Sequence, residues 1–231
     1  MESIRETQVA ESVPAPFVMG PRESKYRLIQ PGFLTPEVCA RLSEFTRKYR
    51  ITGDGYGGNP HPHTPTETFA GISFDGKSVD PNLPDYQLAL RVMQQARKLM
   101  MRHFRVPMLW LDFGHLVSRT VAGPAEAPPE EFSHPWHYDN QSEGVKYRSH
   151  TAVIYINDDF IGGHTCFREA EFGPYREVTP KAGTLVGFSV ADNAHAVTKL
   201  LSGERFVLNI WFSTYWRKYS AHRQIFRQLK S

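Results

Sequence analysis

Cysteine is scarce in this chain: Cys39 and Cys166 are the two cysteines among 231 residues. Two cysteines are too few for a disulfide framework, and their spacing does not match a zinc site. Long apolar runs are missing too, since no segment approaches the length of a membrane span. Residues 1–22 are polar and lack the apolar core of a secretory signal. We therefore expect a cytoplasmic protein with no membrane partner.

Neither sign of charge has a large excess. The chain has 27 Lys and Arg against 24 Asp and Glu, which gives a formal net charge of +3. It contains no block rich in Lys and Arg and no basic stripe interleaved with aromatic residues. A nucleic-acid partner is therefore not expected.

The length and composition fit one large domain. A chain of 231 residues with 40% hydrophobic side chains can bury a sizeable core. Residues 1–24 lack clear periodicity and are predicted to form a flexible leader. The remaining residues, 25–231, are predicted to form a single domain.

Helical patterns occur in three segments. Thr35 followed by Pro36 is typical of a helix start. The apolar spacing across 86–104 predicts an amphipathic helix, and a final helix is expected over 216–229. Between the first two helices, the Gly- and Pro-rich segment 53–65 is predicted to be a loop.

Elsewhere the apolar pattern has a period of two, which is typical of strands. Gly, Pro, Asn and Asp separate these short runs, and their spacing suggests a jelly roll or barrel. The predicted strands are 27–29, 108–120, 150–157, 163–168, 175–179, 184–190, 194–199 and 205–213. The fold class is therefore predicted to be mainly β with flanking helices.

Two of these runs have one apolar face and one mixed face. Over 205–212 the even positions are all apolar, whereas the odd positions are Arg, Val, Asn and Trp. Over 151–157 the even positions are apolar, opposite Thr151, Val153, Tyr155 and Asn157. Because side chains alternate across a strand, one face packs and the other is free for function. We predict that the two mixed faces line the same cavity.

His137, Asp139 and His195 have the residue types of an iron(II) site. Two imidazoles and one carboxylate on one face of an iron(II) octahedron leave positions open for a bidentate 2-oxo acid and for dioxygen. In an extended strand, residues two apart point the same way, so His137 and Asp139 can converge on one metal. The third ligand can come from a distant strand. This layout predicts a non-heme iron, 2-oxoglutarate-dependent oxygenase.

Arg205 lies on the mixed face of its run. A guanidinium inside a barrel is costly unless a carboxylate meets it, and the distal carboxylate of 2-oxoglutarate offers bidentate geometry. The Tyr155 hydroxyl could donate to the same carboxylate. The alternative is a structural salt bridge from Arg205 to a protein carboxylate, which the iron site makes the weaker interpretation.

The order of motifs resembles the catalytic domain of the prolyl 3-hydroxylases, the leprecan family, within the wider prolyl hydroxylase group of 2-oxoglutarate oxygenases. The resemblance covers roughly residues 60–214. Its motifs are PHTP at 62–65 with Glu67, FAG at 69–71, HLVSRT at 115–120, SHPWHYDN at 133–140, YINDDF at 155–160, GG at 162–163, HAV at 195–197, GER at 203–205 and WF at 211–212. It implies the double-stranded β-helix, or jelly roll, of the 2-oxoglutarate oxygenases.

The resemblance also implies roles for individual residues. His137, Asp139 and His195 would be the metal ligands, Arg205 would bind the 2-oxoglutarate tail, and Tyr155 would add a hydrogen bond. The implied cofactors are Fe(II), 2-oxoglutarate and dioxygen.

Four further residues are candidates for substrate contact or for orienting the ligands. Arg119 lies where other prolyl hydroxylases carry a pocket tyrosine, and a packing or salt-bridge role is equally open. Asn140 is expected to orient the ligand loop by hydrogen bonds. Trp211 belongs to the WF motif, the last motif of the resemblance. His63 lies in a loop of the kind that closes over active sites.

The resemblance implies hydroxylation of an unactivated C–H bond, with a prolyl residue, peptide or amino acid as the favoured substrate. The larger animal members carry a secretory signal and a long helical-repeat region that this chain lacks, so collagen processing is not expected. The alternative is a specialised-metabolite oxygenase that hydroxylates, desaturates or cyclises. A catalytically silent jelly-roll binding module is a minor alternative. Nucleic-acid demethylation is not favoured, because the sequence shows no basic groove for the nucleic acid. Loops 52–66 and 121–133 are expected to shape the substrate pocket.

Overall fold

The computed structural model describes residues 25–52, 67–75, 77–121, 132–168 and 174–229. The predicted leader at 1–24, the Gly- and Pro-rich segment and His63 lie outside these ranges. The boundaries predicted for the single domain, 25–231, therefore stay a prediction.

The two long helices begin where proline sets the backbone for a first turn. Helix α1 spans Pro36–Tyr49, and the Thr35 hydroxyl accepts a hydrogen bond from the Val38 amide at 3.4 Å. Helix α2 spans Pro84–Phe104, two residues earlier than the predicted start. The predicted final helix is wrong in its bounds: a 3-10 turn at Trp216–Lys218 precedes α3, which spans Tyr219–Phe226.

Most of the remaining chain is extended. The strands are β1 Arg27–Gln30, β2 Ile51–Thr52, β3 Glu67–Ser73, β4 Trp110–Val121, β5 Phe132–His137, β6 His150–Tyr155, β7 Ile161–Gly162, β8 Thr165–Arg168, β9 Tyr175–Val178, β10 Leu185–Ser189, β11 His195–Thr198, β12 Leu200–Ser202 and β13 Glu204–Ser213. Every predicted strand is confirmed with shifted ends. Strands β2, β3, β5, β7 and β12 were missed as separate strands.

The strands pair antiparallel in two main sheets. The larger sheet has the order β1-β10-β6-β13-β4-β3-β2, and the smaller has the order β5-β11-β8-β9. A short sheet pairs β12 with β7. This arrangement confirms the predicted jelly roll.

The larger sheet separates two kinds of environment. Its outer face carries Leu208, Ile210 and Ile154, which are fully buried together with apolar side chains of α1 and α2. Gly114 on β4 and Gly187 on β10 let α2 approach closely, because a Cβ at either residue would collide with a methionine of that helix. The alternation predicted for 205–212 and 151–157 is confirmed.

The opposite face, called the cavity face here, looks towards the smaller sheet. It carries the odd positions of β13 and their cross-strand partners on β4 and β6. These are Arg205 opposite Arg119, Val207 opposite Val117 and Tyr155, Asn209 opposite His115 and Val153, and Trp211 opposite Phe113 and Thr151. Within the described ranges, no helix is long and apolar enough to cross a membrane.

Candidate metal centre and cosubstrate pocket

Strand pairing in the smaller sheet brings two of the predicted ligands together. His137 is the last residue of β5, His195 is the first of β11, and the register places them directly opposite each other. Their ring centroids are 4.1 Å apart. The predicted strand from His137 to Asp139 is wrong, since β5 ends at His137 and Asp139 lies in the turn that follows. Asp139 therefore joins the two histidines because the chain turns, not because side chains alternate.

The donor atoms of the three residues converge on one point. His137 Nε2 lies 3.6 Å from Asp139 Oδ1, and His195 Nε2 lies 3.6 Å from Asp139 Oδ2. One ligand atom of each residue lies within 4.8 Å of the others. Two imidazole nitrogens and a carboxylate at such distances fit a divalent transition metal that keeps open positions.

Backbone carbonyls select the ring nitrogens that face the metal position. His137 Nδ1 lies 2.8 Å from the Pro135 carbonyl oxygen, and His195 Nδ1 lies 3.2 Å from the Asn193 carbonyl oxygen. A carbonyl only accepts, so each Nδ1 carries the proton and donates. Both Nε2 lone pairs are then free to bind a metal.

Asp139 is held by Thr151, a residue that the sequence did not single out. The Thr151 hydroxyl donates to Asp139 Oδ2 at 2.6 Å. Burial alone would raise the pKa of Asp139, but attraction from His195 and contacts with His137 and Thr151 outweigh it and lower the pKa below its ordinary range. Burial lowers the pKa of His195 to about 4. The site therefore favours an ionised carboxylate beside a neutral imidazole.

Asn140 does not make the predicted contacts within the part of the chain that the structure describes. Its side chain has no hydrogen bond there, and the orienting bond to Asp139 comes from Thr151 on β6 instead. The alternation of β6 carries a signal for this residue, because Thr151 shares the mixed face with Tyr155.

Arg205 is buried on the cavity face, with 3% of its surface exposed. Its Nε has no hydrogen-bond partner, and no carboxylate among the described residues forms an ion pair with it. Gly163 makes room for the side chain, since a Cβ there would lie 2.7 Å from Arg205 Cδ. A buried guanidinium without a protein carboxylate fits a pocket for a carboxylate ligand.

Arg119 lies directly opposite Arg205 in the strand pairing, yet its surroundings differ. Its Nη1 lies 3.5 Å from Glu67 Oε2 and donates to the Ser133 hydroxyl at 3.2 Å. Burial lowers the pKa of Arg119 to about 10, although Glu67 opposes the shift and Arg205 adds to it. Of the two roles left open for Arg119, the structure favours the salt bridge.

Glu67 is a residue that the sequence reasoning missed as a functional partner. Its Oε1 accepts a hydrogen bond from the Leu200 amide at 2.9 Å, while Oε2 faces Arg119. Glu67 was visible only as part of a motif. Its partner could not be found without the pairing of β3 with β4.

Tyr155 lies beside Arg205 but its hydroxyl is already bonded. It donates to the Thr165 hydroxyl at 2.8 Å and accepts from the Thr165 amide at 3.1 Å. The Arg205 guanidinium carbon lies 5.4 Å from the centre of the tyrosine ring. A hydrogen bond from Tyr155 to the cosubstrate, which would replace the bond to Thr165, stays a prediction.

Trp211 lies at the other end of the cavity face. Its ring stacks on Phe113 with centroids 5.8 Å apart, and the Arg148 guanidinium carbon lies 4.6 Å from its ring centre. Its Nε1 is buried and has no partner within the described ranges. Its cross-strand neighbour Thr151 bonds Asp139, which places Trp211 close to the metal ligands.

Comparison with known proteins bears on the whole site. Residues 126–213 match the family model described as 2OG-Fe(II) oxygenase superfamily. Over this segment the chain is similar to that superfamily. The matched segment contains all three candidate metal ligands, Arg205 and Tyr155, and the superfamily's use of Fe(II), 2-oxoglutarate and dioxygen agrees with the predicted cofactors.

The chain is similar to a curated animal protein over most of its own length. It is 30% identical to mouse prolyl 3-hydroxylase 1 in an alignment of 207 positions that covers 81% of this chain and 28% of that protein. The chain therefore spans less than a third of the length of the relative it matches. The predicted resemblance to the prolyl 3-hydroxylase catalytic domain is confirmed.

Solved prolyl hydroxylases share the fold. A Pseudomonas putida prolyl-4-hydroxylase superposes with a TM-score of 0.57 at 20% identity, over 82% of this chain and 92% of that chain. A Trichoplax adhaerens prolyl hydroxylase, in complex with a peptide fragment of hypoxia inducible factor, superposes with a TM-score of 0.57 at 13% identity, over 86% and 88%. At these identities the likeness shows the fold alone.

Proposed function

We propose that this chain is an Fe(II)- and 2-oxoglutarate-dependent dioxygenase that hydroxylates a prolyl residue in a peptide or protein. One observation carries the proposal. The His137, Asp139 and His195 donors converge in the same cavity as Arg205, whose buried guanidinium meets no carboxylate of the described residues. A metal site and a separate carboxylate site in one cavity are what a chelating 2-oxo diacid requires.

The protein residues would divide the work of binding. His137, Asp139 and His195 would hold Fe(II), which when bound supplies the activation of dioxygen and the oxidation of the C–H bond. Arg205 would bind the distal carboxylate of 2-oxoglutarate through two parallel N–H donors. Thr151 would keep Asp139 in position, and the apolar walls of the cavity would exclude water from the reacting carbon.

The names of the relatives support a prolyl substrate. Mouse prolyl 3-hydroxylase 1 is named for this activity, and the Trichoplax protein was solved with a peptide fragment bound. We extend both features to this chain. A free amino acid or a small metabolite would use the same metal and cosubstrate residues, and no contact among the described residues favours one.

The test is a substrate-dependent oxidation. The protein is loaded with iron(II) without oxygen, given 2-oxoglutarate and a panel of proline-containing peptides, free amino acids and cyclic metabolites, and then exposed to oxygen. We expect succinate to form together with a peptide product that gains one oxygen atom. A His137→Ala protein is the control. If succinate rises only with a small metabolite, the substrate is a metabolite and not a prolyl residue. If no succinate forms above the control, the chain is better explained as a binding module.

A further inference from the structure

We propose that a pocket beside the candidate site binds a second part of the substrate polypeptide, a prolyl ring a few residues from the residue that is oxidised. The inference rests on the proposed function, since it assumes a peptide substrate. It concerns residues that neither the metal site nor the cosubstrate pocket uses.

The pocket, called the aromatic pocket here, has a volume of about 370 Å³ and lies where the chain leaves β13 and enters β6. It is lined by Glu143, Gly144, Lys146, Tyr147, Tyr215, Arg217 and Lys218. Tyr147 and Tyr215 stack with ring centroids 4.4 Å apart and planes 22° apart. Tyr147 is 42% exposed and Trp216, next to Tyr215, is 66% exposed. Large aromatic surfaces open to solvent in one place are typical of contact sites.

A continuous series of contacts joins the aromatic pocket to the cavity face. Lys218 Nζ lies 2.6 Å from Asp112 Oδ1, and Arg148 Nε donates to Asp112 Oδ2 at 2.9 Å. Arg148 in turn covers the ring of Trp211. Asp112 reaches both cations from a β-bulge, because Trp211 pairs with Phe113 while Phe212 pairs with Leu111. Such bulges re-aim a side chain, often beside active sites.

The distance between the two sites suits a short peptide segment. Tyr215 follows Trp211 by four residues, and Tyr147 precedes Thr151 by four. Four residues of extended chain span at most about 14 Å. A polyproline II segment rises about 3.1 Å per residue, so about five residues cover this distance. A segment of about five residues is therefore long enough to join the aromatic pocket to the neighbourhood of Thr151, whose hydroxyl donates to Asp139.

The chemistry of the aromatic pocket favours a prolyl residue over other occupants. Aromatic-lined grooves bind polyproline II segments because the ring of proline packs flat on them and the segment loses little entropy. Two of its cations have carboxylate partners, since Lys146 pairs with Glu143 and Lys218 with Asp112. Arg217 has no ion pair in the part of the chain that the structure describes, and its guanidinium carbon lies 5.6 Å from the ring centre of Trp216. It is free to donate to a carbonyl oxygen of the bound peptide.

The experiment compares Tyr215→Ala with Leu201→Ala. Leu201 is 63% exposed on β12 and does not line the aromatic pocket, so it controls for the loss of an exposed side chain. Each protein is assayed for kcat/KM with peptides that carry one reactive proline and are lengthened in steps to about eight residues on either side. Binding of a fluorescent oligoproline of about ten residues is measured without oxygen.

We expect kcat/KM of the unchanged protein to rise about tenfold as the peptide is lengthened by about five residues on one side. Tyr215→Ala should lose this gain and keep the activity on the shortest peptide, whereas Tyr215→Phe and Leu201→Ala should retain both. If kcat/KM does not depend on peptide length, or if the effect of length is unchanged in Tyr215→Ala, the inference is wrong and the proposed function still holds. If oligoproline binding depends on Tyr215 but no peptide is hydroxylated, the aromatic pocket binds prolyl residues and the proposed function is wrong.

Discussion

The two faces of the larger sheet bury different kinds of side chain, although the same strands form both faces. On the outer face, Phe206, Leu208 and Ile210 are fully buried among apolar side chains of the helices. On the cavity face, Arg205 and Asn209 alternate with them along β13. Burial of apolar surface stabilises the outer face, whereas buried polar groups on the cavity face cost stability unless they find partners. A single strand therefore contributes to stability and to binding in turn.

The cavity face contains a second contrast, between two buried arginines. Arg119 has Glu67 and Ser133 as partners, whereas Arg205 directly opposite has no hydrogen-bond or ion-pair partner within the described ranges. Like charges opposite each other on neighbouring strands are unfavourable. A protein carboxylate lies beside Arg119, whereas no carboxylate of the described residues forms an ion pair with Arg205. The position of a charge on the cavity face thus does not decide its role, but its partner does.

The largest effect is expected from the metal ligands. Asp139→Ala removes the one carboxylate that the two histidines share, so succinate formation should fall to the assay background and iron should bind weakly. The fold should persist, because Asp139 lies in a turn and not among the packed side chains of the outer face. Succinate yield, iron content and circular dichroism check this. Full activity in Asp139→Ala would show that the cavity face holds its metal elsewhere.

A substitution on the outer face should show the reverse behaviour. Leu208→Ala removes a fully buried side chain and should lower the free energy of unfolding by about 2–5 kcal/mol. The activity of the folded protein should change little, since Leu208 points away from the cavity. Denaturant unfolding and kcat/KM below the transition measure the two effects. A loss of activity larger than the loss of folded protein would mean that the two faces are coupled.

The two arginines can be separated by one matched pair of variants. Arg205→Leu should weaken the binding of 2-oxoglutarate by about 10–150-fold, which is the loss expected for hydrogen bonds to a charged group. It should not lower the free energy of unfolding. Arg119→Leu should destabilise the protein by about 3–5 kcal/mol, because Glu67 is left as an unpaired buried charge. The measurements are the apparent KM for 2-oxoglutarate and chemical unfolding. If both variants changed the KM and the free energy of unfolding to the same extent, Arg205 and Arg119 would not have different roles.

A smaller effect is expected at Thr151. Thr151→Val keeps the shape of the side chain but removes the hydrogen bond to Asp139, and iron affinity should fall about 10–100-fold. Thr151→Ser retains the hydroxyl and should restore the affinity, which separates orientation of the ligand from packing. Titration of iron(II) into the metal-free proteins provides the comparison. Unchanged affinity in Thr151→Val would leave Asp139 oriented by its turn alone.

Local sequence patterns predicted most of the elements because they depend on neighbours in the chain. Thr35 and Pro36 specify a helix start through a cap and a fixed backbone angle, and the alternation over 205–212 specifies a strand with one apolar face. The strand β3 was missed, since Glu67 to Ser73 shows no strict alternation and is extended through pairing with β4. Residues whose role comes from such pairing, Glu67 above all, could not be found from the chain alone.

By itself the sequence determined the residue types at the candidate site: the two histidines and the carboxylate, the arginine on a mixed face, and the motifs shared with prolyl 3-hydroxylases. Those features are local, so they can be recognised before the chain is folded. Only the tertiary structure decided which groups meet. The pairing of β5 with β11 placed His137 opposite His195, the turn after β5 brought Asp139 to them, and Glu67 compensated one arginine and left the other available. Such contacts join residues far apart in the chain, and their distances depend on strand register, which no local pattern specifies.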